Sequence, residues 1–134
     1  MPYVSEPYFL DTLINDVRVQ LLLRANDQIV KRQRYPDVDP VTYLDNELIV
    51  NLVYRNKAIY SQKHFRKTDF VEFIYGEDIG KYSIHRFFFN ESTTNATTII
   101  VSICQPDTAM CYKIKVILNH DGRIEQIDLE EYGN

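Results

Sequence analysis

The chain has 134 residues, of which 45% are hydrophobic and 25% are charged. This length fits one domain with its own core, so we expect a single domain over residues 1–134. The net charge of −4 argues against nucleic acid as the main partner, because binding to phosphates needs a net basic face.

The first predicted element is a long helix from about Glu6 to Arg34. Ser5 is a suitable N-cap, and Pro36 would end the helix. Apolar residues recur every three or four positions, which is the spacing of one helical face. This stripe consists of Leu10, Ile14, Val17, Leu21, Ala25 and Ile29.

A short helix and a hairpin are predicted next. Asp39 before Pro40 is a capping residue followed by a first-turn proline, which predicts a second helix from Pro40 to Asn46. An apolar run then predicts a strand from Leu48 to Arg55. After a turn, a return strand is predicted from Ala58 to Tyr60.

A third helix and four strands complete the prediction. Ser61 can cap a helix from Gln62 to Tyr75, and Gly76 suits its C-cap. Alternating apolar residues and short turns then predict an antiparallel meander with the strands Tyr82–Phe89, Thr97–Cys104, Met110–Leu118 and Arg123–Tyr132. The sequence therefore predicts an α+β fold of order α-α-β-β-α-β-β-β-β, with three helices packed on a curved, mainly antiparallel sheet.

This order resembles the nuclear-transport-factor-2-like superfamily, in its branch of SnoaL-like cyclases and ketosteroid isomerases. Two segments carry the resemblance: residues 43–74, YLDNELIVNLVYRNKAIYSQKHFRKTDFVEFI, and residues 115–132, KVILNHDGRIEQIDLEEY. The resemblance implies a cone-shaped domain with an internal pocket between helices and sheet. It also implies a homodimer formed through the outer face of the sheet.

The enzymes of this superfamily imply a candidate catalytic set. They use a carboxylate base near the first strand, and a tyrosine and a carboxylic acid as oxyanion donors. Asp45 is close to the position of the base, and Tyr54 could donate a hydrogen bond at the pocket mouth. The three predicted meander strands before the last contain no Asp or Glu, so the usual acid on the sheet is missing.

His85 and three aromatic residues are the other candidate site residues. If His85 faces the pocket it could move protons near neutral pH, and otherwise it is a histidine of the surface or of a dimer interface. Tyr8, Tyr43 and Phe87 could line the pocket and contact a ligand, although such tyrosines also serve as core or rim residues. No motif requires a cofactor or a metal, so we expect neither.

The two cysteines and the N-terminus bear on the compartment. Cys104 and Cys111 could face each other across a hairpin, which makes a disulfide geometrically possible. The N-terminal residues lack the features of a secretory signal, and no apolar run is long enough to span a membrane. We therefore expect a cytoplasmic or nuclear protein with two free thiols.

Basic residues crowd into one stretch between positions 55 and 67. They are Arg55, Lys57, Lys63, Arg66 and Lys67, with His64 among them. This cluster is either a solvated surface or a docking patch for an acidic partner.

Two functions remain open from the sequence. The first is a dimeric association or binding domain without catalytic activity, whose partner is a protein or a small apolar ligand. The alternative is a cofactor-independent isomerase, cyclase or dehydratase that uses acid–base chemistry in the pocket.

Overall fold

The structure, a computed structural model, describes residues 2–4, 6–33, 35–74, 79–106, 108 and 110–133, and of residues 126–133 only the backbone. The strands in these residues are β1 (Tyr8–Ile14), β2 (Val17–Arg32), β3 (Val41–Tyr54), β4 (Lys57–Phe65), β5 (Ser83–Ser92), β6 (Ala96–Cys104), β7 (Cys111–Asn119) and β8 (Ile124–Gly133). Two 3-10 helices span Lys67–Phe73 and Ile79–Lys81. The predicted helix ends Arg34 and Tyr75 and the predicted caps Ser5 and Gly76 lie outside the described residues.

The strands form two antiparallel sheets of four strands each. One sheet has the order β1-β2-β3-β4, and the other has the order β5-β6-β7-β8. Tight turns join neighbouring strands of the first sheet: the β1–β2 turn at Asn15 and Asp16 and the β3–β4 turn at Arg55 and Asn56 all have positive φ angles. Such angles are typical of the type I′ turns that close β-hairpins.

The α+β class predicted from the sequence is wrong, because the described chain is mainly β. The segment predicted as the long first helix forms β1, the Asn15–Asp16 turn and β2. Along the first half of β2 the buried residues are Val17, Val19, Leu21 and Leu23, which alternate with period two. Val17 and Leu21 belong to this pattern and also to the helical stripe, so the longer apparent period was misleading.

The other two predicted helices are also corrected by the structure. Val41, Thr42 and Tyr43 are β-branched or aromatic, and they begin β3 by pairing with β2 where the second helix was expected. β4 continues to Phe65, so the third predicted helix is reduced to the 3-10 helix at Lys67–Phe73. The described residues therefore do not form the three-helix cone that the family resemblance implied.

The predicted meander does form, as β5 to β8. These strands are consecutive neighbours in the second sheet and lie close to their predicted bounds. The turn between β7 and β8 contains Gly122 at φ 94°, a conformation that favours glycine, and the Gly122 amide donates to the Asn119 carbonyl over 3.1 Å.

The inner faces of both sheets contribute to one hydrophobic core. Alternating residues of β2, β3, β6 and β7 are fully buried in it, while the first 3-10 helix adds Phe70. The largest fully buried side chains are Tyr82, Phe65, Phe70, Leu21, Leu48, Leu52, Ile84, Ile99, Ile103, Ile114, Leu118 and Val17. Side chains of both sheets thus pack against each other in the space between the sheets.

A disulfide joins Cys104 to Cys111, so the expectation of two free thiols is wrong. The two cysteines are direct register partners in β6 and β7, with a Cα–Cα distance of 4.1 Å. Because directly opposed residues in antiparallel strands lie this close, the pairing of the hairpin brings the sulfurs together.

No helix in the described part of the chain is long and apolar enough to cross a membrane.

Candidate functional site

Several polar residues of the interior meet where β3 passes β5. Asn46 is buried, and its Nδ2 donates to the Ile84 carbonyl over 2.8 Å and approaches Ser83 Oγ at 3.5 Å. These bonds fix the orientation of the amide. Its Oδ1 has no hydrogen-bond partner among the described residues. An unpaired buried acceptor of this kind costs about 1 to 3 kcal/mol, which is unusual in a well-packed interior.

A small cavity of about 40 Å³ adjoins Asn46. Its lining residues are Tyr43, Asn46, Ser83, His85, Cys104 and Pro106. Pockets for organic ligands have volumes of roughly 300 to 1,000 Å³, so this cavity is far too small for a substrate of that size.

The cavity brings together two of the residues singled out in the sequence, Tyr43 and His85. Burial of part of the imidazole, together with the charge of Arg86, lowers the pKa of His85 below its usual value of 6.5. The side chain of His85 still reaches the surface. His85 is therefore neutral at physiological pH.

Asp45 is held in an ion pair next to this cavity. Its carboxylate is 2% exposed, and its Oδ2 lies 3.4 Å from Lys67 Nζ. The Lys67 ammonium also donates to the Tyr82 carbonyl over 3.0 Å. A carboxylate that neutralises a buried lysine is poorly suited to the free general base that the family resemblance implied.

Tyr54 lies at the opposite end of β3 from Asp45. Tyr54 is nine positions further along the strand than Asp45, a distance of about 30 Å at the usual rise per residue. The Tyr54 ring stacks on His120 with a centroid distance of 4.8 Å, and Arg55 lies over its face at 5.0 Å. Asp45 and Tyr54 therefore cannot act on one small molecule.

Tyr8 and Phe87 contact each other rather than the cavity. Their ring centroids lie 4.9 Å apart, with Tyr8 on β1 and the buried Phe87 on β5. This pair links the edge of the first sheet to the second sheet. Of the three predicted ligand-binding residues, only Tyr43 lines the cavity.

Sequence reasoning missed Asn46, Ser83 and Lys67, which are all buried and polar. The signal available was the run Asp45-Asn46-Glu47 immediately before an apolar strand. The predicted second helix ends within that run, at Asn46, with Asp45 either a candidate base or a helix-end residue in water. A strand assignment from Val41 onward would have placed these side chains alternately on the two faces of a buried sheet.

The basic cluster predicted between positions 55 and 67 is divided by the structure. Lys67 is buried in the ion pair, whereas His64 and Arg66 lie on the outer face of the first sheet. There His64 Nδ1 lies 3.1 Å and Arg66 Nε lies 3.6 Å from Glu47 Oε2, and Arg24 Nε lies 3.4 Å from Glu47 Oε1. Part of the cluster thus neutralises a buried glutamate.

A second candidate site is the outer edge of β1. β1 is the terminal strand of its sheet, and it pairs with β2 over seven residues without a bulge. Phe9 is 57% exposed and Leu13 is 71% exposed, and both lie on one face with Asp11 between them. The Asp11 carboxylate is bound by Arg18 Nη2 at 2.9 Å and by Gln20 Nε2 at 3.3 Å.

The other three edge strands carry features that discourage pairing. β4 presents Lys57 and Lys63, and its pairing with β3 shifts register twice. β5 also pairs with two register shifts, and it exposes Arg86. β8 contains four acidic residues in its sequence: Glu125, Asp128, Glu130 and Glu131. Charges and bulges are the usual protection of sheet edges, and β1 has only the neutralised Asp11.

A search of the curated proteins finds no match. The family model described as "Domain of unknown function (DUF4738)" matches residues 14–126. The match extends from the β1–β2 turn into β8 and covers more than half of the chain. The chain therefore belongs to the DUF4738 family.

Proposed function

We propose that this protein is a non-catalytic association domain that pairs with a second copy of itself through the edge of β1. The observation that carries the proposal is the contrast between β1 and the other three edges. β1 is regular, apolar and exposed, and its backbone groups on the outer edge have no strand partner in the described part of the chain. Such an edge is a template for another strand.

The sequence of β1 suits an antiparallel pair with a two-fold axis at Asp11. In that register Phe9 faces the partner's Leu13, and Tyr8 faces the partner's Ile14. Apolar cross-strand pairs of this kind stabilise antiparallel sheets. The two Asp11 carboxylates would face each other, but each is already bound by its own Arg18, so the centre of the interface carries no net charge.

The expected dimer is weak, because an edge of seven residues is only about 24 Å long. It buries less than the roughly 800 Å² per partner of a standard interface. We expect a dissociation constant in the micromolar range. Sedimentation velocity between about 1 and about 500 micromolar should therefore follow the monomer–dimer equilibrium.

A matched pair of variants tests the surface. Phe9→Lys with Leu13→Lys places two charges on the β1 edge and should yield a monomer across this range. Phe88→Lys with Val71→Lys changes two similarly exposed apolar residues elsewhere, at 44% and 52% exposure, and should leave the dimer intact. A wild-type chain that stays monomeric, or equal dissociation of both variants, would refute the proposal.

We infer further that the domain works in an oxidising compartment, rather than in the cytoplasm that the sequence suggested. The support is the Cys104–Cys111 disulfide, since such bonds are rare where glutathione keeps thiols reduced. Alkylation of free thiols in freshly lysed source cells, followed by mass measurement, should leave both cysteines unlabelled. Labelling of both cysteines without added reductant would contradict this inference and would indicate a reducing compartment.

A further inference from the structure

The cavity beside Asn46 has the properties of a binding site. Asn46 is 3% exposed, and its Oδ1 is the group that lacks a partner among the described residues. The amide cannot exchange its two ends, because Nδ2 donates to the Ile84 carbonyl at 2.8 Å. Because Asn46 lines the cavity, an occupant that donates a hydrogen bond to Oδ1 would satisfy this acceptor.

The neighbouring side chains do not supply this donor. The Ser83 hydroxyl donates to the Ile84 carbonyl over 3.4 Å, and its oxygen receives Asn46 Nδ2. The Lys67 ammonium is used by Asp45 and by the Tyr82 carbonyl. The hydrogen bond to Asn46 is thus left for a bound molecule.

The volume restricts that molecule to very few atoms. A water molecule needs about 10 to 15 Å³ of this kind of space, and the cavity offers about 40 Å³. By this measure the cavity has room for up to about three water molecules, or for one small organic group.

The surrounding charge favours a neutral occupant over a cation. The Arg32 guanidinium donates to the carbonyl of Pro106 at the cavity wall over 3.0 Å, and Arg86 follows His85 in β5. The nearby Lys67 and Asp45 neutralise each other. The charge of Arg86 acts on His85 at the cavity wall, so it would also repel a bound ammonium.

We propose that this cavity binds one neutral hydroxyl donor, either a water molecule or the hydroxyl of a small alcohol, through Asn46 Oδ1. None of the residues that line this cavity belongs to β1, so a test that refutes the proposed dimer does not refute this site. A fixed donor here would join β3 of one sheet to β5 of the other through Asn46.

Nuclear magnetic resonance of the wild-type protein tests the proposal, with the Asn46 side-chain amide as the reporter. A persistent cross-relaxation signal between water and this amide is expected. Methanol is then titrated as the probe alcohol, with methylammonium chloride as the charged control. A saturable shift with methanol shows that an alcohol enters, whereas a water signal without that shift identifies water as the occupant.

Two results would overturn the site. One is the absence of both the water signal and the methanol shift, which would mean a dry cavity. The other is saturation by methylammonium, which would mean that a cation is preferred. Ser83→Ala keeps Asn46 Oδ1 and should keep the water signal. Asn46→Leu removes the reporter amide, so the water signal is then followed at the neighbouring backbone amides of β5, where it should be lost.

Discussion

Asp45 Oδ2 and Lys67 Nζ lie 3.4 Å apart, and both side chains are buried. Asp45 also accepts the backbone amide of Asn46 over 2.8 Å, while Lys67 donates to the Tyr82 carbonyl. The pair therefore connects β3 to the chain segments on either side of the second 3-10 helix. Each charge is compensated by the other in a place from which water is largely excluded.

Removal of one member of this pair should destabilise the fold strongly. Asp45→Asn leaves the Lys67 ammonium buried without a counter-charge, and we expect a loss of about 3 to 5 kcal/mol in the free energy of unfolding. Lys67→Met should cost a similar amount, while the double variant should lose clearly less than the sum. Urea unfolding measures all three, with the exposed Lys57→Met as a control that should change stability by less than about 0.5 kcal/mol.

Additive losses in the double variant would contradict a direct interaction. Unchanged stability in Asp45→Asn would contradict its burial with Lys67.

Reduction of the disulfide should weaken the domain by a smaller amount. Cys104 and Cys111 are seven positions apart, and the chain-entropy model gives about 2 to 3 kcal/mol for a loop of this size. Thermal unfolding with and without reductant should show this difference in the wild type. The Cys104→Ser, Cys111→Ser double variant should match the reduced wild type and ignore the reductant. Two titratable thiols in the untreated protein would contradict the bond.

The strands after Tyr82 could be predicted because their pattern was unambiguous. β7 alternates buried and half-buried residues throughout, and the Asp121-Gly122 turn follows it directly. Period-two alternation next to a hairpin turn has no helical interpretation. The predicted bounds of this half were therefore nearly right.

The first half of the chain was ambiguous for a physical reason. Leu21, Leu22 and Leu23 satisfy a helical stripe and an alternating strand equally well. The deciding residues were Asn15 and Asp16, which adopt positive φ angles and turn the chain back on itself. This pair is a weaker turn signal than Asn-Gly, so the sequence pattern favours one continuous helix.

The candidate site could be predicted only in part. Tyr43 and His85 were selected from the sequence, and they do line one cavity. The position of Asn46 in the site depends on its hydrogen bond to Ile84, which lies 38 residues further along the chain. Such a long-range contact follows from the packing of two sheets, and that packing could not be anticipated while the first half was assigned to helices.

Glu47 should make stability depend on acid pH. Burial of its carboxyl raises the pKa, but the hydrogen bond and charge of His64, with those of Arg24, outweigh burial and hold the pKa below its usual value of 4.5. The unfolded chain therefore binds more protons than the folded chain in this range. The stabilisation is fully present above about pH 4.5 and is lost as the pH falls through the lower folded pKa.

Glu47→Gln should flatten this acid dependence and lower stability at neutral pH by about 1 to 2 kcal/mol. Urea unfolding at a series of pH values from about 3 to about 7 measures both effects. Glu72→Gln, at an exposed position of the first 3-10 helix, is the matched control and should follow the wild type. If the free energy of unfolding changes with pH in the same way for the wild type and for Glu47→Gln, then the basic side chains around Glu47 do not stabilise its carboxylate.

His120 closes the β5–β6 loop against the β7–β8 turn. Its Nδ1 lies 3.0 Å from the Thr94 carbonyl, and a carbonyl can only accept, so Nδ1 carries the proton. Its Nε2 then accepts from the Thr97 hydroxyl at 2.9 Å, and Tyr54 stacks on the ring. We expect the less common Nδ1–H tautomer, which nitrogen chemical shifts of the imidazole report directly.

His120→Ala removes both hydrogen bonds and leaves Thr97 buried without that partner. We expect a loss of about 2 to 3 kcal/mol, whereas His85→Ala should change stability by less than about 0.5 kcal/mol because that imidazole reaches the surface. Thermal unfolding of the two variants side by side measures the contrast. An Nε2–H tautomer in the wild type, or equal losses for the two histidines, would mean that the Thr94–His120–Thr97 chain does not hold these two loops together, and that the stack on Tyr54 alone fixes the ring.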